Sequence, residues 1–185
     1  MITHQNWFVG LPVQDTGWFG GVVGEAPHGL RVFHPADLHL TVAFLGQCDF
    51  QYTDDIQRII DTITFTPFTI TFDRLTTFPP ERRPTVVSFT LRDGYDATCE
   101  LIRRWREPLL TAGHARPDTR EPLPHITIGR IRRDAGYREI EDISAWAFSR
   151  TVPPVSVTID RVALYTWADD RRERQFKVIY EKQMS

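Results

Sequence analysis

Long apolar runs are missing from this chain of 185 residues, and no secretory leader is expected. No run reaches the roughly 18 apolar residues that a transmembrane helix needs, so no membrane partner is expected. The opening residues, MITHQNWFVG, lack the basic segment and the apolar stretch that direct a protein to secretion. We therefore expect a cytoplasmic protein.

Cysteine and lysine are scarce. The two cysteines, Cys48 and Cys99, have neither the spacing of a metal site nor that of a disulfide framework, so free thiols are expected. Lys177 and Lys182 are the only lysines among the 22 basic residues. The other basic residues are arginines, whose planar guanidinium can bind phosphate through two hydrogen bonds. A codon usage that favours arginine would explain the excess of arginine over lysine without any function. The net charge of −2 excludes a globally basic nucleic-acid binder but not a local basic cleft.

Hydrophobic residues recur with strand and helix periods along the chain. The patterns predict helices at 53–63, 94–112 and 137–147, and strands at 6–13, 38–46, 67–78, 84–91, 125–131, 154–167 and 174–182. Residues 14–34 are rich in glycine and have no clear pattern. With 41% hydrophobic residues the chain can bury a core. The chain is therefore predicted to contain both helices and strands.

The chain contains the same short pattern twice. LHLTVAFL and PHITIGR each place a histidine, an apolar residue and a threonine in a predicted strand, and His39 and His125 stand 86 positions apart. FTITFDRL and VSVTIDRV also resemble each other, with Asp73 and Asp160 at an offset of 87. A nearly constant offset is typical of an internal duplication.

A duplication makes specific predictions about the architecture. We expect a single domain over residues 1–185 with two pseudo-symmetric lobes, one for each motif. Each lobe would contribute an antiparallel sheet, the two sheets would face a central groove, and the helices would lie outside. A monomer is expected.

Alternation along a strand separates each motif into two faces, because residues i and i+2 point the same way. The groove-facing residues are predicted to be His39, Thr41, His125 and Thr127. The core-facing residues are predicted to be Leu40, Val42, Ile126 and Ile128. The groove would then hold two imidazoles and two hydroxyls.

Two imidazoles and two hydroxyls suit phosphodiester chemistry. An imidazole, with an ordinary pKa of about 6.5, can accept or donate a proton near neutral pH. One histidine can deprotonate the attacking group while the other protonates the leaving oxygen, and the residue types do not say which does which. Threonine hydroxyls can donate to the phosphate oxygens. This arrangement requires no metal and no other cofactor, and a zinc site on His39 and His125 lacks a third ligand.

These motifs resemble those of the two-histidine phosphoesterase superfamily and, within it, of the RNA 2′,3′-cyclic phosphodiesterases, also called 2′-5′ RNA ligases. HLTVAFLG is similar to the family pattern His-x-Thr-x-x-Phe-Leu-Gly, and PHITIGR to Pro-His-x-Thr-x-x-Arg. The resemblance covers the whole chain. It implies a bilobed α+β fold and hydrolysis of a terminal 2′,3′-cyclic phosphate of RNA to a 2′-phosphate. It also implies 2′-5′ ligation as a related reaction, in which a 5′-hydroxyl takes the place of water.

The resemblance also implies a role for individual residues. His39 corresponds to the proton donor and His125 to the proton acceptor, while Thr41 and Thr127 correspond to phosphate-binding hydroxyls. Arg130 corresponds to the arginine that ends the second motif. Strict alternation puts Arg130 on the wrong face for phosphate, so a bulge or a strand end is needed to aim it, and a solvated arginine is the alternative.

Other residues and substrates stay open. Arg83 and the pair Arg171–Arg172 are expected to be solvent-exposed loop charges. The aromatic residues that could stack on a base, or simply pack in the core or rim, are Trp7, Phe44, Phe78, Tyr165 and Trp167. The partner is expected to be an RNA end or a nucleotide with a 2′,3′-cyclic phosphate. Alternatives are a cyclic mononucleotide, an ADP-ribose cyclic phosphate, a 2′-5′ oligoadenylate, or a non-catalytic module that binds nucleotides or RNA.

Overall fold

A computed structural model describes residues 5–80, 83–152 and 154–185, which form nine β-strands and four α-helices. The strands are β1 (Asn6–Pro12), β2 (Leu30–Val32), β3 (His39–Gln47), β4 (Phe68–Phe78), β5 (Val86–Leu91), β6 (His125–Ile131), β7 (Ser156–Ile159), β8 (Arg161–Trp167) and β9 (Phe176–Gln183). The helices are α1 (Phe19–Val23), α2 (Thr53–Thr62), α3 (Tyr95–Ala112) and α4 (Tyr137–Ser149). The predicted α+β class is confirmed.

The predicted elements agree closely with these bounds. Each of the three predicted helices is present, and α3 continues through Pro108. The segment 154–167, in which strands were predicted, contains β7 and β8, separated by Asp160. The glycine-rich segment 14–34, which had no clear pattern, contains α1 and β2.

The strands form one antiparallel sheet in the order β7-β4-β5-β6-β3-β1-β8-β9, with β2 paired to β6. The motif strands β3 and β6 are neighbours at its centre, where Leu40 pairs with Ile126. The two sheets that the sequence predicts are therefore joined halves of a single sheet. This sheet must curl, because β7 and β8 lie far apart in the strand order and yet are separated only by Asp160.

Each half of the sheet contains strands from both halves of the chain. The first half-sheet consists of β3, β1, β8 and β9, and the second of β6, β5, β4 and β7. Strand β4, which follows the first motif, therefore lies beside the second one, whereas β8 and β9, which follow the second motif, lie beside the first. The predicted duplication stays a prediction, but the two sequence repeats do not each form one lobe.

The repeated Asp-Arg dipeptides lie close to the points where the strand pairing changes. The first four residues of β4 pair with β7, whereas Phe72 and the residues from Leu75 to Phe78 pair with β5, with an irregularity at Asp73–Arg74. In the second repeat Asp160 separates β7, which pairs with β4, from β8, which begins at Arg161 and pairs with β1 and β9. The similar segments FTITFDRL and VSVTIDRV thus each lie at a change of strand pairing.

The core lies between the helices and one face of the sheet. Helix α3 packs on β3 and α4 packs on β4. The four predicted core residues of the motifs are all buried, namely Leu40, Val42, Ile126 and Ile128. Cys48 and Cys99 are both buried, and neither forms a disulfide among the described residues. Within the part of the chain that the structure describes, no helix is long and apolar enough to cross a membrane.

Candidate active site

A groove of about 620 Å³ lies on the face of the sheet opposite the buried Leu40 and Ile126. We call it the central groove. It is lined by Asn6, Phe8, Arg31, Phe33, His39, Thr41, Phe44, Val86, Thr127, Arg130, Arg133, Trp167, Arg171, Gln175 and Phe176. Four of the five predicted site residues are in this lining, and His125 lies beside it on β6.

A β-bulge turns Arg130 into the groove. On β5, Ser88 pairs with Thr127 and the adjacent Val87 pairs with Gly129, so that Ile128 is an extra residue in β6. The bulge reverses the alternation: Ile128 and Gly129 are both buried, and Arg130 emerges on the side of Thr127. The bulge that sequence alternation required is therefore present.

Strand β3 has the equivalent bulge. Thr41 pairs with Gly10 and Ala43 pairs with Val9, which leaves Val42 as the extra residue. The side chain three positions after the threonine therefore emerges into the groove here as well. It is Phe44, which is 56% exposed. The groove thus presents an aromatic ring from one motif where the other motif presents a guanidinium.

His39 is enclosed by aromatic rings from three strands. Its ring stacks on Phe8 with centroids 4.5 Å apart, and lies 5.4 Å from Tyr165 and 5.5 Å from Phe176. Gly10 makes room for this ring, since a Cβ there would lie 3.3 Å from His39 Cδ2 and 2.8 Å from the Leu40 carbonyl oxygen. His39 is only 9% exposed as a result.

We call the rings of Phe8, Tyr165 and Phe176 the aromatic box. Burial in this aromatic box lowers the pKa of His39 to about 4. Desolvation of the charged imidazolium is the main cause, and repulsion from a protonated His125 adds to it. The hydrogen bond from Nδ1 to the Asp37 carbonyl oxygen, 2.7 Å long, opposes the shift. In the ligand-free groove His39 is therefore neutral at pH 7.

The two histidines are held in the same way. His125 Nδ1 lies 2.7 Å from the carbonyl oxygen of Leu123, two positions before it, as His39 Nδ1 does from that of Asp37. A carbonyl oxygen only accepts, so we assign the proton to Nδ1 in both rings. Nε2 is then the atom that can take up or release a proton. His125 is half-buried and has one aromatic neighbour, Phe78, at 5.1 Å.

The two threonines differ in their support. Thr127 Oγ1 is 3.1 Å from the hydroxyl of Ser88, which is completely buried. Thr41 faces Gly10 at the corresponding position of the other half-sheet, so no side chain of that residue constrains its hydroxyl. Both threonines line the central groove, and their hydroxyls can donate to an anion bound there.

Asp37 is a site residue that sequence reasoning missed. Its carboxylate is fully buried and accepts hydrogen bonds from the backbone N–H groups of Gln175 and Phe176 at 2.7 and 3.2 Å. Its carbonyl oxygen accepts from His39. Asp37 therefore ties the start of β9, with the Phe176 ring, to the histidine. The sequence itself shows only an aspartate two positions before the motif histidine.

The arginine and aromatic predictions had mixed outcomes. Arg83 and Arg172 are exposed as expected, but the same expectation for Arg171 is wrong, because this residue is partly buried and lines the groove. Its guanidinium packs over Trp167, 4.4 Å from the ring centroid. Of the candidate stacking residues, Phe44 and Trp167 line the groove, and Trp7 is in the core.

Within residues 5–80, 83–152 and 154–185 no three His, Cys, Asp or Glu side chains form a metal-binding group.

Comparison with known proteins decides the family. The model of the 2′-5′ RNA ligase superfamily matches residues 27–171, a segment that contains both motifs. The chain belongs to the 2′-5′ RNA ligase superfamily. Its resemblance to the two-histidine phosphoesterases, seen in the motifs, is thus confirmed.

Curated members of this superfamily and a solved structure are similar to the chain. The RNA 2′,3′-cyclic phosphodiesterase of Thermotoga maritima is 30% identical over 80% of this chain and 75% of its own length. The protein of the same name from Archaeoglobus fulgidus is 30% identical over 57% of this chain, and the match spans only 58% of that relative. E. coli LigT complexed with 3′-AMP has a TM-score of 0.68 at 20% identity, with 98% of both chains covered, which establishes the shared fold.

Proposed function

We propose that this protein hydrolyses the terminal 2′,3′-cyclic phosphate of RNA to a 2′-phosphate, with His39 and His125 as acid and base. The observation that carries the proposal is the matched pair of imidazoles. Each has Nδ1 bound to the carbonyl oxygen two positions before it, and the two stand on neighbouring strands at one groove. The names of the relatives, RNA 2′,3′-cyclic phosphodiesterase, supply the substrate.

The proposed reaction is an in-line displacement at phosphorus. Neutral His125 takes a proton from water at Nε2, and the water oxygen forms the new bond to phosphorus. The bond from phosphorus to the 3′-oxygen breaks, and His39 delivers its proton to that oxygen. One water is consumed, and the products are a 2′-phosphate and a free 3′-hydroxyl. The assignment of His39 as donor comes from the family resemblance.

The donor role requires that His39 become protonated when substrate arrives. Its pKa of about 4 describes the ligand-free groove. A phosphate anion next to the ring favours the imidazolium and raises this pKa. Catalysis would then begin only after the anion has entered, and the aromatic box would keep the imidazolium poorly solvated and ready to release its proton.

The remaining groups would stabilise charge on the phosphate. Thr41 and Thr127 can donate to the non-bridging oxygens, and Ser88 orients the second hydroxyl. Arg130, which the bulge directs into the groove, can neutralise the growing negative charge. Phe44 offers an exposed ring on which the terminal base can stack.

The direct test is turnover of an oligonucleotide that ends in a 2′,3′-cyclic phosphate, compared with a cyclic mononucleotide. Hydrolysis of both identifies an enzyme, and a preference for the oligonucleotide identifies RNA ends as the substrate class. Tight binding of either compound without turnover would replace the proposal with a non-catalytic binding module.

The product is expected to be the 2′-phosphate, because the 3′-oxygen is the group that His39 protonates in the proposed geometry. Phosphorus NMR of the reaction mixture, compared with 2′- and 3′-nucleotide standards, measures this directly. If the 3′-phosphate predominates, the substrate lies in the groove in the opposite orientation.

Chelation is expected to leave the activity unchanged. Both proton transfers are assigned to imidazoles, and charge stabilisation to threonine and arginine, so the proposed mechanism has no step for a metal. The measurement is the rate of cyclic-phosphate hydrolysis after dialysis against EDTA. A rate that falls after dialysis and returns with a divalent ion would show that the two-imidazole mechanism is wrong.

A further inference from the structure

The lining of the central groove includes four arginines, Arg31, Arg130, Arg133 and Arg171. Among the described residues none of the four has a carboxylate oxygen within 4 Å, the limit used for an ion pair. Nearby arginines outside the lining are paired, since Arg172 lies 3.3 Å from Asp170 and Arg174 lies 3.6 Å from Asp37. The positive charge in the groove is therefore uncompensated, although the chain as a whole is acidic.

Three of these arginines lie next to each other. Arg31 of β2 and Arg130 of β6 are directly opposite in the antiparallel pair. The Arg31 guanidinium donates to the backbone carbonyl of Arg171, which brings the third residue against the first. We call Arg31, Arg130 and Arg171 the arginine cluster. Like charges at this proximity repel, and burial together with repulsion from Arg130 and Arg31 lowers the pKa of Arg171.

The guanidinium of Arg171 is fixed in place rather than free in solvent. Its plane packs over Trp167, and one amino group donates to Gln175 Oε1 at 3.2 Å. Its Nε is buried and has no hydrogen-bond partner among the described residues. A guanidinium that is half-buried, oriented and incompletely hydrogen-bonded is suited to bind an anion.

We infer that Arg31 and Arg171, beside Arg130, form a second phosphate subsite, which binds the 5′-linked phosphate of the nucleotide that bears the cyclic phosphate. This inference rests on the proposed function. If the cyclic phosphate is held between the two motifs, Arg130 lies between it and the other two arginines. In an RNA end the nearest second phosphate is the one that links the terminal nucleotide to the preceding one. A cyclic nucleoside phosphate lacks it.

The subsite would make the protein selective for substrates with two phosphates. The test compares cytidine 2′,3′-cyclic phosphate with the same compound carrying a 5′-phosphate, and with a dinucleotide that ends in a cyclic phosphate. The wild-type protein is expected to show a kcat/KM roughly tenfold or more higher for the two larger substrates, as a charged hydrogen-bonding pair contributes. Arg31→Gln and Arg171→Gln should each reduce this ratio toward one.

Arg172→Gln is the matched control, because it removes an adjacent arginine that is exposed and paired with Asp170 outside the groove. It should leave the ratio of the two kcat/KM values unchanged. Equal kcat/KM for substrates with and without the 5′-phosphate would overturn the subsite, while the observed turnover would still support hydrolysis of 2′,3′-cyclic phosphates by the two histidines. If the wild-type protein hydrolyses none of the three compounds, the proposed function itself is wrong. If Arg172→Gln lowers the kcat/KM ratio as much as Arg31→Gln and Arg171→Gln do, the preference comes only from general electrostatic attraction.

Discussion

Replacement of either His39 or His125 by alanine is expected to lower kcat at least about 10²-fold, because each variant loses one of the two proton transfers. The double variant should be little worse than either single one, since groups that act in one step are not additive. Thr41→Ala and Thr127→Ala keep both imidazoles and should lose less. Steady-state kinetics on an RNA with a cyclic-phosphate end measures all five proteins.

The pH dependence of the residual activity of each single variant decides which histidine is the donor. With His39 removed, only the acceptor remains, and the residual rate should rise with pH, as general-base catalysis does. With His125 removed, only the donor remains, and the residual rate should fall with pH. The opposite slopes would exchange the two roles. A single variant that retains nearly full activity would show that the central groove is not the active site.

Acidification from pH 7 to pH 4 is expected to reduce the free energy of unfolding by up to about 3 kcal/mol through His39 alone. In the unfolded chain this imidazole has an ordinary pKa near 6.5, whereas in the folded protein its pKa is about 4. Between these values the unfolded state binds a proton that the folded state does not. The contribution is therefore complete above pH 6.5 and is lost as the pH falls to 4.

Urea denaturation of the wild type and of His39→Gln at pH 7, 5.5 and 4 measures this contribution. The variant cannot titrate at this position, so its stability should fall less over the same range. Asp118, whose pKa the hydrogen bond from Arg120 lowers to about 2, does not obscure the comparison, because it is present in both proteins and its contribution cancels. Equal pH dependence in the two proteins would mean that the aromatic box does not exclude water from the histidine.

Much of the site followed from local patterns in the sequence. Alternation alone predicted which motif residues face the groove and which face the core. It also showed that Arg130 needs a bulge, but not where the bulge lies, because the extra residue Ile128 is defined by its pairing with β5 and not by its own side chain. The roles of the site residues, the cytoplasmic location and the monomeric state stay predictions.

The site features that the sequence did not reveal have a common physical cause. Asp37, Phe8 and Phe176 act on His39 from segments that are far apart in the chain, and hydrophobic periodicity reports a residue's own element and not its partners. Arg171 was expected to be exposed because it lies in a charged loop, whereas Trp167 and Gln175 hold it in the groove. The exchange of strands between the two half-sheets was hidden for the same reason.

That exchange constrains the order in which the protein can form during its synthesis. The first half-sheet needs β1 and β3 from the start of the chain and β8 and β9 from its end. A nascent chain therefore cannot complete either motif's surroundings until β7, β8 and β9 have been synthesised, and such distant pairings make folding slow. Phe8 and Phe176 meet around His39 only after β9 has joined the sheet. The imidazole thus acquires its protected environment late in folding, and fragments that end before β9 lack it.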